Sequence, residues 1–297
     1  MHNGALGNIG LCVGVADLLL ASLIPIVLTI ALVAALARLR VRERRRPRAA
    51  LLVAAAMLLA LFVLFVRGDA RLARLVPWSA AIVATDVTLP LAAAIAVLLW
   101  PILPKPKWRK SLVAAAIVLA GGVASFDALR LAMLGPPPTR DLWRGNVAMQ
   151  ATRVTCGPAA AATLLRTAGI EAGETGLAVD CLTHSSGSPT LGIWRGLSLA
   201  TRGSDVRPIV VTGDPLAAGR PVLVAVGLPR WSAGDVDPRY ERDWGWEPGQ
   251  QHVVVIFGVN DDGSLDVGDP AVGRERWSRA ALDELYRGAA FALVPRE

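Results

Sequence analysis

Four apolar stretches fill the first half of this chain, at residues 11–37, 49–66, 79–100 and 111–134, and they constrain its fold more than any other feature. Each approaches or exceeds the roughly 20 residues that a helix needs to cross the hydrocarbon core of a bilayer. The hydrophobic fraction of 54% and mean hydropathy of +0.47 are too high for an ordinary soluble protein, and these stretches hold the excess. The predicted architecture is α+β: a four-helix transmembrane region over residues 1–138, followed by a second domain over 139–297.

Charge divides the same way. Through Arg140 there are 16 Lys+Arg against 5 Asp+Glu, whereas from Asp141 onward there are 15 against 19. Basic residues beside apolar segments report membrane topology, while a nucleic-acid surface would need them on the soluble part. Nucleic-acid binding is excluded on that ground. The first stretch lacks a basic flank before it and runs into Arg38 and six further arginines by Arg48, so it is expected to be retained as a helix. That loop and the Lys105, Lys107, Arg109, Lys110 loop are the strongly basic ones, which places both in the cytoplasm. Both termini are then expected outside a bacterial plasma membrane, with the second domain extracytoplasmic. Trp78, Trp100 and Trp108 lie near the proposed helix ends. Asp17, Asp86 and Asp127 fall within spans and are read as wetted helix-end residues or as partners of Arg130, too few to line a conduction path. Gly135 and Pro136–Pro138 break the last helix.

The second domain carries the chemistry. Gln150 stands six residues before Cys156-Gly157-Pro158, and an Ala/Leu run follows. That run is strongly helix-forming, and proline suits a first helical turn. Cys156 is thereby predicted at a helix N-terminus, where the macrodipole favours a thiolate. A glutamine side-chain N–H and the nucleophile's own backbone N–H can form an oxyanion hole. A lone cysteine capping a core helix is the bland alternative, and the company of Cys156 argues against it. Further on, 251–259 and 264–268 read as strands joined by the turn 260–263. Pairing Val259 with Ser264 sets position 254 across from 269, making His252 and Asp269 diagonal neighbours on one face and sending Asp266 to the other. Cysteine attack, proton shuttling by histidine and orientation by a carboxylate need such a set. No cofactor or metal is expected: three cysteines and three histidines are too scattered for a cluster.

These residues resemble the double-glycine leader peptidases of bacteriocin exporters and their stand-alone relatives, which have a papain-like fold. The likeness runs through Gln150, Cys156-Gly157-Pro158-Ala159-Ala160, Ser185–Ser188 before Leu191-Gly192-Ile193, the strand 219–225, His252 and Asp269-Pro270. It implies that Cys156 is the nucleophile, His252 the general base, Asp269 its orienter and Gln150 the oxyanion donor, acting on a peptide or exported protein. Thr155 stands where the exporter peptidases usually carry an acid, and no glycine-rich ATP loop occurs in these 297 residues. Transglutaminases and cell-wall amidases share the Cys–His–Asp order. The other readings are a non-cleaving peptide-binding domain on a membrane anchor, and a helix bundle active as a transporter component with the domain as its gate.

Among the remaining residues, His184 is expected in a solvated loop, Cys181 as a small buried residue and Cys12 as helix packing. Residues 230–251, with Trp231, Trp244 and Trp246, suit a loop flanking a peptide groove or folded over the core. Residues 275–285 are expected as a short surface helix and 291–294 as a closing strand.

Overall fold

The computed structural model describes residues 4–38, 45–100, 107, 111, 115, 134–229, 238–242 and 246–296. The chain forms two compact units, one of Met1–Leu72 with Ala80–Arg130, the other of Ala73–Ser79 with Leu131–Glu297. Overall it is α+β, with helices first and antiparallel sheet later.

In the first unit, α1 (Gly4–Arg38) and α2 (Arg45–Leu61) are followed by a π-helical turn at Phe62–Val66. The short α3 (Leu72–Leu75) leads into the Ala73–Ser79 segment of the other unit, and α4 (Ala81–Ala84) and α5 (Thr88–Leu99) complete the first. Three stretches are helical, long and apolar enough to cross a membrane: Ala16–Leu36, Pro47–Val66 and Ala81–Leu99. The expected fourth, 111–134, lies outside the described residues except for Ser111, Ala115 and Leu134, as do Asp127 and Arg130. The third is interrupted at Thr85–Val87. There Asp86 Oδ1 accepts the Thr88 backbone N–H (2.8 Å), capping the first turn of α5, while Oδ2 accepts from Arg67 Nε (3.1 Å). Asp86 is buried, so the expectation of a wetted carboxylate or an Arg130 partner is corrected: Arg67 meets its charge.

The second unit is built on a six-stranded antiparallel sheet of β3 (Val206–Val211), β4 (Val222–Gly227), β5 (Gln251–Val259), β6 (Leu265–Asp269), β7 (Gly273–Trp277) and β8 (Tyr286–Pro295), in the order β3-β8-β4-β5-β6-β7. A small hairpin of β1 (Leu142–Arg144) and β2 (Val147–Met149) precedes the central helix α6 (Cys156–Thr167), which packs on β5 and β2. Flanking it are α7 (Glu174–Asp180) and α8 (Thr190–Ala200). Every residue of α6 from Cys156 to Leu165 is buried, which explains an alanine-rich sequence: small side chains let helix and sheet approach closely. Val222, Val224 and Val226 of β4 join Val254, Ile256, Leu265 and Val267 in one apolar cluster, each such side chain contributing about 1.5–3 kcal/mol when fully buried. Its other members include Leu282 and Leu285 of α9 (Arg279–Leu285).

The segment before the third apolar stretch belongs to this unit. Trp194 Nε1 of α8 donates to Trp78 O (2.9 Å), and Arg202 Nη2 donates to Ser79 Oγ (2.9 Å).

Two local expectations change. Pairing of β5 with β6 begins at Val259–Leu265, one residue later than predicted, because Asn260 N–H bonds Ser264 O (2.8 Å) and extends the loop. A bulge at Phe257 then absorbs the extra residue, and Ile256–Val267 and Val255–Gly268 return to the expected phase. Residues 275–277 end β7 and are not helical; the helix starts only after Ser278, whose Oγ accepts the Ala281 N–H (3.1 Å).

Candidate active site

Continuing the β5–β6 register one step past the bulge sets Val254 across from Asp269. His252 and Asp269 are therefore diagonal on one face, and they touch: His252 Nε2 lies 2.8 Å from Asp269 Oδ1. The same oxygen accepts the Ala271 N–H (2.7 Å), which fixes the carboxylate at the strand end. Asp266 points the other way and is held by Arg274, Nε to Oδ1 at 2.6 Å.

Cys156 is the first residue of α6 and is buried. Its side chain acts electrostatically on His252, whose ring is bonded to Asp269. Since Nε2 faces the carboxylate, Nδ1 is the ring nitrogen left for sulfur. Burial favours the neutral ring, but the bond to Asp269 and the negative charge of Asp269 and Cys156 outweigh it and push the histidine from 6.5 to about 10. Trp246 stands edge-on to the imidazole, with ring centroids 5.8 Å apart.

Gln150 is tied to the same corner. Its backbone N–H donates to Pro270 O (2.9 Å), next to Asp269. Its side-chain Oε1 is buried with no partner among the described residues. The loop from Gln150 to Cys156 is held from below by buried Glu174, whose two oxygens accept the Ala151 and Arg140 N–H groups, each at 2.7 Å. A β-carbon on Gly157 would lie 2.7 Å from Ser188 Oγ, so only glycine lets the Ser185–Ser188 loop sit against the start of α6.

Gln150, His252 and Asp269 line a cleft of about 780 Å³ whose walls include Tyr240, Trp246 and Trp277. Among the described residues no group of His, Cys, Asp and Glu is arranged to hold a metal.

One sequence expectation is revised here. His184 is buried, and its Nδ1 accepts the Ser186 N–H (3.2 Å), because the loop folds back onto the helices. Trp246 packs against His252 and Trp277, while Trp231 and Trp244 lie outside the described residues. Two carboxylates that the sequence does not single out, Glu174 and Glu275, are respectively the support under the nucleophile loop and a carboxylate in the cleft. A lone glutamate in a loop–helix start carries no sequence signal for either task.

Cys181 is buried with its sulfur close to Gly196 of α8, and burial pushes its thiol up.

No family profile matches this chain. An uncharacterized protein of Methanothermobacter marburgensis is 26% identical over 151 residues, which is 51% of this chain and 89% of that protein. Similar solved structures include three transporter peptidase domains. The peptidase domain of Streptococcus ComA, a bi-functional ABC transporter involved in quorum sensing, is 21% identical, with 50% of this chain and 98% of that one covered at a TM-score of 0.39. A double-glycine-motif protease from an AMS/PCAT transporter, in complex with its leader peptide, is 18% identical over 54% of this chain and 97% of that one, at a TM-score of 0.38. The Streptococcus mutans ComA domain is 20% identical over 50% and 99%, at 0.33.

Proposed function

We propose that this chain is a membrane-anchored cysteine peptidase with a papain-like catalytic domain. The observation that carries the reading is the His252–Asp269 hydrogen bond at the edge of an open cleft, with Cys156 at a helix N-terminus acting on the same imidazole. In the reaction, Cys156 Sγ attacks the substrate carbonyl as a thiolate while His252 holds the proton. The tetrahedral oxyanion is met by the Cys156 backbone N–H and the Gln150 amide, whose two ends exchange by a half-turn of the side chain, so the unpartnered position can present N–H. His252 Nδ1 then protonates the departing amine, leaving a thioester. Water, deprotonated by His252, hydrolyses it to the acid and free thiol. Asp269 keeps the ring oriented and stabilises the imidazolium throughout.

The membrane part of the reading rests on the three apolar helices and their outward side chains. Leu58, Leu64 and Phe65 are more than half exposed, as lipid-facing residues are. Trp78 and Ser79 lie in the second unit, so that segment shares a side with residues 141–297. A chain that leaves Ser79 and returns to that side by Asp141 makes an even number of crossings. With the basic loops inside, this supports an extracytoplasmic peptidase domain. Protease added to spheroplasts should digest the C-terminal domain and spare the 38–48 loop; the reverse pattern would overturn the topology.

The function is tested by incubating the detergent-solubilised full chain with a defined peptide library and identifying products by mass spectrometry. Cleavage that disappears with Cys156→Ala supports the reading. Cleavage that survives it contradicts the assignment.

A further inference from the structure

The cleft beside the His252–Asp269 pair has an unusual chemical balance. Its aromatic walls, Tyr240, Trp246 and Trp277, present π-faces and edges to one space, and Trp246 and Trp277 meet edge-to-face at 6.1 Å between centroids. Two arginines border it, but each is engaged: Arg153 Nη1 pairs with Glu247 (3.0 Å), and Arg276 Nη1 reaches Asp262 (3.3 Å). Glu247 is accounted for by the first of these pairs. Glu275 is left.

Glu275 sits across β7 from Val267, on the same face as Asp269 and one pair along, and it lines the cleft. Its Oε2 accepts the Trp277 indole N–H at 2.9 Å, a neutral donor. Half-burial pushes its carboxyl up and the Asp269 charge adds to the rise, while the Trp277 N–H and the His252 ring oppose it. Aromatic faces beside a carboxylate form the surroundings that favour an organic cation, which gains from the rings and from the charge at once.

We propose that this cleft is a specificity subsite for a cationic group of the peptide substrate, a guanidinium or ammonium, with Glu275 as the residue that selects it. The subsite rests on the peptidase reading for its place in the reaction. It adjoins the Asp269 side of His252, opposite the Nδ1 edge that faces Cys156. An Arg or Lys side chain and a free amino terminus share this chemistry.

The probes are N-acetyl-arginine methylamide, its citrulline analogue, which is nearly the same shape and neutral, and citrulline methylamide with a free amine. Binding is measured by isothermal titration to the full-length Cys156→Ala variant in detergent, so thiol chemistry plays no part. The arginine probe should bind at least about tenfold more tightly than N-acetyl-citrulline methylamide, the scale of a partly desolvated cation–π contact with a charge partner. Glu275→Gln, which keeps an acceptor for Trp277, should remove that difference, and Glu247→Gln should preserve it. A gain for the free-amine probe alone would assign the site to an amino terminus; a gain for the arginine probe alone would assign it to a side chain. Equal affinities of all three probes for the parent Cys156→Ala protein would overturn the proposal whatever the variants do, and so would an arginine preference that survives Glu275→Gln. Failure of the peptidase reading shows separately, as an unreactive Cys156 in the wild-type chain.

Discussion

The two units use the same residue types in opposite ways. In the first, leucine, valine and phenylalanine turn outward: Leu58 is 56% exposed and Leu64 and Phe65 are each 72% exposed. In the second, Leu164 and Leu165 are fully buried, and the sheet cluster excludes water from both valine and leucine. Polar groups also differ. Asp86 in the first unit is matched by a single arginine, whereas Asp269 in the second is held by an imidazole and a backbone N–H at a cleft edge. A paired carboxylate away from any cleft is stabilising at most. One bonded to a histidine, on which a cysteine acts in turn, has a reaction open to it. The apolar surface of the first unit suits a bilayer, and the ordered polar set of the second suits chemistry.

The largest expected effect falls on the second unit alone. His252→Ala should reduce peptide turnover by at least about three orders of magnitude, since a nucleophile and its base act together. Membrane extraction of the variant should match wild type. A variant that turned over normally would break the comparison at its functional end.

A stability contrast sharpens the structural end. Leu164→Ala opens a hole in a packed core and should cost about 2–5 kcal/mol, read as a loss of protease resistance of the C-terminal domain. Leu58→Ala, on an outward face, should cost less than about 0.5 kcal/mol, as surface substitutions do. Equal losses would mean that the exposed face of α2 is packed against protein.

Within the site the effects become smaller. Asp269→Asn should lower turnover about ten- to a hundredfold by removing a charge-assisted bond, and Asp266→Asn, on the opposite face with Arg274, should be nearly silent. The pH dependence follows from the histidine. Its pKa is raised from 6.5 to about 10, so the charged ring and the stability it brings are fully present below pH 6.5 and disappear as pH rises through about 10. The alkaline limb of kcat/KM should therefore lie near pH 10. Asp269→Asn removes a cause of the rise and should move the limb to lower pH. A limb that stays in place would show that Asp269 does not hold the ring.

Much of the site could be read from local rules. Cys156-Gly157-Pro158 before an alanine run marks a helix start with little ambiguity, and strand alternation joins His252 to Asp269. The register survived a wrong turn only because the bulge at Phe257 offset the longer loop, and no pattern in 251–269 announces that bulge. His184 was misplaced because a Ser/Gly-rich segment looks solvated until its folding onto α6 and α8 is known. The break at Thr85–Val87 was hidden for a related reason: hydropathy averages over it, while the Asp86 cap and the Arg67 pair depend on a residue nineteen positions away. Glu275 gained its place from strand pairing with β6, which residues 275–285 do not reveal alone.

The account stands most directly on which cysteine is the nucleophile. The full chain, treated briefly near neutral pH with a limiting thiol alkylator and mapped by mass spectrometry, offers Cys156 and Cys181 for comparison. Both are free and buried, but Cys156 opens a helix and acts on His252, while Cys181 is enclosed by α8 with its thiol pushed up by burial. The account predicts modification of Cys156 first, slowed by His252→Ala, with Cys181 left intact until the domain unfolds. Modification of Cys181 before Cys156, or of Cys156 at a rate indifferent to His252, would contradict it.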